Sequence, residues 1–179
     1  PPVFVAPESL FHVFAERAWG RECVVFWCAM VSLVPVFVNR RASCSSKKQV
    51  LRLLSRHAAK ALLVDPSEVF DYLVAREKIG TTSVGQGVAL PHAVVSGLTQ
   101  AHTLFLRLKL GVDFKAIDDE PVDVVLCYLA PLEVSDQQRL FALAKLNKLM
   151  TNKAVLSLLR GAESRAAVLA IFQQNMSHW

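Results

Sequence analysis

Val122 to Leu129 is a nearly continuous apolar run with several β-branched residues. A run of that kind has no polar face to turn toward water, which is the pattern of an interior strand covered on both sides. Thr103 to Leu110 alternates instead, with Leu104, Leu106, Leu108 and Leu110 on one face and Phe105, Arg107 and Lys109 on the other. That period of two predicts a half-buried strand. Val36 to Ala42 suits a third strand.

The segments between read as helices with explicit start signals. Ser46-Lys47-Lys48-Gln49 has the form of a capping box, and Val50, Leu51, Leu54, Ala58, Ala61 and Leu62 follow at helical spacing, with an end expected near Val64. Asp65-Pro66-Ser67-Glu68 offers an N-cap, a proline at the first helical position and a glutamate in the first turn, before Val69, Tyr72 and Leu73. Ser135 to Gln138 repeats the device ahead of Leu140, Leu143, Leu146 and Leu149. A short helix is expected near Lys153, then Gly161, then a last helix from about Glu163 to Gln174. Strands interleaved with helices predict an α/β fold: one domain with a mixed sheet flanked by helices. A chain of 179 residues is long enough to bury one such core.

Residues 23 to 38 form a separate apolar run of sixteen, followed by Asn39-Arg40-Arg41. It is short of the roughly 20 residues of a membrane span, so no membrane insertion is expected. The pattern leaves a signal-like segment, a peripheral anchor, extra core and translated sequence upstream of a natural start all open. Secretion is disfavoured, because no A-x-A-like site follows the run. Residues 1–37 are accordingly set apart as an N-terminal extension, and residues 38–179 as the working domain.

The formal net charge is +5, with basic residues spread among apolar stretches and not gathered in blocks with aromatics. That distribution argues against nucleic acid, while a modest positive field would steer an acidic or phosphorylated protein partner. Cys23, Cys28, Cys44 and Cys127 form no C-x-x-C pair, and His12, His57, His102 and His178 show no ligand spacing. No metal, no cofactor and no disulfide framework is expected.

One loop carries chemistry. In Ser83-Val84-Gly85-Gln86-Gly87-Val88-Ala89-Leu90-Pro91-His92, two glycines permit positive φ or close approach of an anion. Pro91 then holds His92 on stiff, extended backbone. An imidazole with a pKa near about 6.5 keeps a neutral, nucleophilic fraction at pH 7.

From Gly80 to His92 the chain resembles the active-site signature G-[ST]-T-G-I-G-x-G-[IV]-A-[IL]-P-H of phosphotransferase-system IIA proteins of the fructose and mannitol type. Arg76 to Ile79 and Phe114 to Asp123 are similar to the nitrogen-regulatory branch in particular. The resemblance runs from about residue 38 to the C-terminus. It implies a cytoplasmic phosphohistidine carrier in which His92 accepts a phosphoryl group from a histidine-phosphorylated carrier protein. It also implies regulated targets linked to nitrogen or potassium, such as potassium transporters or sensor kinases. Arg76 is the expected phosphate-binding cation, and Thr82, Ser83 and the amides around Gly85 and Gly87 the expected hydrogen-bond donors.

The match has departures. Where the family places a second histidine in an H-L-x-x-L pattern, this chain has Arg139-Leu140-Phe141-Ala142-Leu143. Arg139 would hold a phosphoryl group with a permanent charge but would not titrate. Ser83 stands for a glycine and Gln86 for a common asparagine. Two alternatives therefore stand beside the regulator: a sugar-specific IIA component passing phosphate to a IIB domain, and a binding protein no longer phosphorylated.

Overall fold

The computed structural model describes residues 40–176; the apolar run at residues 23 to 38 lies outside them, as do the first residues of the strand expected from Val36. The described part of that strand is β1, Arg40–Ala42.

Two helices follow, α1 (Lys47–Leu62) and α2 (Pro66–Ile79). Ser46 Oγ accepts the Gln49 amide as expected of an N-cap, but the Gln49 side chain bonds back to the amide of Ser45, not to that of Ser46. Leu63 ends α1 in the left-handed region at φ 57° and is 92% exposed. Asp65 caps α2 through the amide and hydroxyl of Ser67.

The loop resolves into short strands: β2 (Ser83–Gly85), β3 (Val88–Ala89) and β4 (His92–Val94). The long strands β5 (His102–Val112) and β6 (Val122–Ala130) come next. Helices α3 (Asp136–Met150), α4 (Lys153–Gly161) and α5 (Arg165–Met176) complete the order. At α3 the reciprocal box between Ser135 and Gln138 is fully formed.

The sheet runs β1-β5-β6-β3-β2, with β4 also on β6. β6 is antiparallel to β5 and parallel to β3 and β4, so the sheet is mixed, as expected. Val124 to Ala130 is buried throughout, because α1 and α2 pack on one face of the sheet and α3, α4 and α5 on the other.

β5 departs from its half-buried reading. Phe105 is 1% exposed and meets Phe172 of α5 edge-on, with centroids 5.8 Å apart, so the face expected to be polar lies under the second helical layer. Leu110 is 73% exposed instead of buried, since the register with β6 breaks between Arg107 and Val112. Alternation read from one strand cannot register a helix that arrives from 60 residues downstream.

Candidate functional site

Arg76 and Glu77 are neighbours in the last turn of α2, and successive helical residues point about 100° apart. One therefore looks outward and the other inward. Glu77 is 9% exposed. Its Oε1 accepts from Lys47 Nζ at 2.9 Å, and its Oε2 accepts from the Thr82 amide at 3.1 Å and the Thr82 hydroxyl at 2.6 Å. Lys47 Nζ and the Thr81 hydroxyl both donate to the carbonyl of Phe114, at 3.2 and 2.7 Å. A buried carboxylate with a cation and two further donors is fully compensated, and it fastens the start of the loop to α1 and to the segment after β5.

The glycine turn is fastened separately. Gly85, Gln86 and Gly87 all have positive φ, at 85°, 56° and 73°. Asp118 Oδ2 accepts the Gln86 amide at 2.8 Å, and Arg160 Nη2 donates to the Gln86 carbonyl at 2.7 Å. Arg160 also grips Asp123 through two bonds of 2.9 and 2.6 Å. A Cβ on Gly87 would stand 2.7 Å from Arg160 Nη2 and 2.8 Å from Asp123 Oδ1, so a side chain there would displace that pair in addition to the backbone penalty of its positive φ.

His92 follows as the first residue of β4. Its backbone partner is Tyr128, whose amide donates to the Pro91 carbonyl at 2.9 Å. Ring Nδ1 lies 2.9 Å from the Leu90 carbonyl and Nε2 lies 2.9 Å from Arg76 Nε. A carbonyl only accepts and a guanidinium only donates. The two contacts therefore define one tautomer, with the proton on Nδ1 and the lone pair on Nε2. Burial lowers the His92 pKa and the Arg76 charge lowers it further, against upward pulls from the Leu90 carbonyl and from Glu77. The neutral, nucleophilic form is favoured.

The ring opens on a cleft of about 710 Å³ between α2 and α3, lined by Arg76, Tyr128 and Arg139 among others. Its remaining wall is largely aliphatic, with Ile79, Leu132, Leu140 and Leu143. Arg139 is held by the Val134 carbonyl and Asp136.

Of the residues singled out in the sequence, the structure brings His92, Arg76 and Arg139 to one cleft. It does not bring Thr82, Ser83, Gly85 and Gly87 there. The Thr82 hydroxyl is spent on Glu77, the Ser83 hydroxyl donates to the Val88 carbonyl at 3.0 Å, and the two glycines serve the clasped turn against Asp118, Asp123 and Arg160. In the structure these groups shape the loop that presents His92. Glu77 was read from the sequence as a residue that pairs with a cation or caps locally, and Lys47 is that cation; Tyr128 was missed altogether. The signal for Tyr128 was present: it is the one side chain with a hydroxyl in the Val122 to Leu129 run.

Among the described residues no group of His, Cys, Asp and Glu is placed to hold a metal ion. No helix among them is long and apolar enough to cross a membrane.

The family model described as "Phosphoenolpyruvate-dependent sugar phosphotransferase system, EIIA 2" matches residues 33–175. A nitrogen regulatory protein of Bradyrhizobium diazoefficiens is 38% identical over 127 residues, covering 71% of this chain and 82% of that protein. One of Escherichia coli is 36% identical over 125 residues, covering 69% and 76%. The crystal structure of nitrogen regulatory protein IIA-Ntr from Neisseria meningitidis superposes with a TM-score of 0.71 at 30% identity, covering 83% of this chain and 98% of that one. IIA mannitol from Escherichia coli shares the fold with a TM-score of 0.63 at 20% identity, over 75% and 94%.

Proposed function

The chain belongs to the EIIA type 2 family of the phosphoenolpyruvate-dependent sugar phosphotransferase system, and on that premise we propose that it is a phosphocarrier regulator whose acceptor atom is Nε2 of His92. The domain that does this is residues 38–179. The observation that carries the reading is the paired contact on the imidazole: Nδ1–H to the Leu90 carbonyl and Nε2 facing Arg76. A fixed tautomer and a lowered pKa present the lone pair that phosphoryl transfer requires.

The transfer balances without a net proton. A donor phosphohistidine, protonated on its other ring nitrogen, gives its phosphoryl group to Nε2; the new N–P bond forms as the old one breaks, and the electron pair of the old bond returns to the donor ring. His92 keeps its Nδ1 proton against Leu90 and becomes the phosphoimidazolium, while the donor is left neutral. The chemistry asks mainly for positioning and charge stabilisation. Arg76 supplies both by turning its donors from Nε2 to the phosphoryl oxygens, and Arg139 adds a second permanent charge from across the cleft.

Phosphorylation would add about −1.5 to −2 charges to a cleft with an aliphatic wall. That is a large change for any protein docked there, and it supports switched binding to targets linked to nitrogen or potassium. The regulatory branch, as opposed to sugar uptake, is supported by identity to proteins named as nitrogen regulators. The test is to incubate the chain with phosphoenolpyruvate, the first enzyme of the system and its carrier protein. Acid-labile phosphate is expected on wild type and not on His92→Ala. No label on wild type would leave a binding-only protein, and onward transfer to a sugar-specific IIB domain would favour the uptake component.

A further inference from the structure

Tyr128 is paired with His92 in the parallel ladder between β4 and β6, and residues paired in this way project from the same face of the sheet. Its ring lines the cleft beside His92 and Arg139. The residue is 2% exposed, yet its hydroxyl has no hydrogen-bond partner among the described residues. It is also not among the fully sealed unpartnered atoms there, such as His102 Nδ1 and Thr103 Oγ1. Buried tyrosine hydroxyls ordinarily find a partner. This one belongs to a residue that lines the same cleft as His92.

We propose that the Tyr128 hydroxyl donates a hydrogen bond to a phosphoryl oxygen on His92, making it, with Arg76 and Arg139, the third donor of the phosphorylated site. The inference rests on the reading of His92 as acceptor. Three features support it. The backbones of His92 and Tyr128 are held side by side, with the Tyr128 amide donating to the Pro91 carbonyl. Arg139 lines the same cleft, and its positive field acts on the phenol against the upward pull of burial on its pKa. The rest of the cleft wall is largely aliphatic, and a bond to a charged oxygen is stronger beside apolar surface.

The experiment compares phosphohistidine lifetime in wild type and Tyr128→Phe, with the thermal midpoint and the phosphorus-31 resonance of each. Loss of a hydrogen bond to a charged group is expected to shorten the lifetime roughly tenfold or more, to move the phosphorus resonance, and to leave the midpoint nearly unchanged. A lifetime within twofold of wild type with an unmoved resonance would overturn the inference and leave the acceptor reading standing. Failure of wild type itself to take label on His92 would overturn both. Should Tyr128→Phe not fold, carbon-13 labelling of the tyrosine Cζ atoms of wild type decides the matter, since the chain has two tyrosines. Phosphorylation should displace the Tyr128 signal on hydrogen bonding, and an unmoved signal would refute the proposal.

Discussion

Arg76 donates its Nε–H to Nε2 of His92 at 2.9 Å, while its Nη1 is tied to the Gly80 carbonyl at 3.0 Å at the end of the same helix. The atom that would attack phosphorus is thus covered, in the unmodified protein, by the cation that would later neutralise the product. A guanidinium has five donors in a fixed fork, so the exchange needs a rotation of Arg76 and no rearrangement of α2.

The first prediction concerns the imidazole. Proton and nitrogen-15 NMR should find His92 with its proton on Nδ1 and a titration midpoint below the ordinary value of about 6.5, assigned by its loss in His92→Ala. Arg76→Ala should raise that midpoint, because the arginine charge is one of the causes holding it down. A group with a depressed basic pKa contributes stability that is complete above the ordinary value and shrinks as pH falls through it, since the unfolded chain then binds the extra proton first. Phosphate uptake should accordingly be flat above pH 7 and fall only on acidification.

Glu77 is expected to matter for stability more than any other charge near the cleft. Its side chain is 5% exposed against 27% for Lys47, and it accepts three bonds. Glu77→Gln should cost about 1–3 kcal/mol in urea unfolding. Lys47→Met, which strands the carboxylate, should cost at least as much.

Two of the left-handed glycines, Gly87 and Gly97, should respond differently to alanine. Both have positive φ, at 73° and 78°, but a Cβ on Gly87 meets Arg160, Asp123 and the Pro121 carbonyl, whereas nothing lies within 4 Å at Gly97. Gly97→Ala should lose only the backbone penalty of about 1–2 kcal/mol. Gly87→Ala should lose more and should loosen the Arg160 to Asp123 pair, visible as faster amide exchange at Asp123 and Val124, whose amides donate to the Gly87 carbonyl.

Arg139 gives a pH test. Its charge does not titrate in the working range, so the lifetime of the phosphorylated form should show no step attributable to it between pH 5.5 and 8. Arg139→His should introduce a step near about pH 6.5 in the ratio of its lifetime to that of wild type, with the ratio larger on the acid side. Arg139→Ala should shorten it throughout.

The strand and helix order was legible because each signal was local. Ser135 with Gln138, Asp65 with Pro66 and the apolar run of β6 specify their elements from a few adjacent residues. His92 and Arg76 were legible as partners through the loop pattern around them. The roles of Thr82 and of the glycines were not, because a hydroxyl or amide carries no mark of which acceptor will reach it first. Glu77 takes Thr82, and Asp118 with Arg160 takes the turn.

Sequence by itself determined which segments are extended, which are helical, and that one stiff, glycine-relieved loop ends in a histidine. Those properties depend on backbone preference and periodicity within about ten residues. Tertiary structure alone decided what is set beside the ring and what covers the sheet. Tyr128 stands next to His92 through the register of β4 on β6, and Phe105 turned inward because α5 folded over it. Contacts across such separations follow from how layers pack, and that is a property of the whole chain.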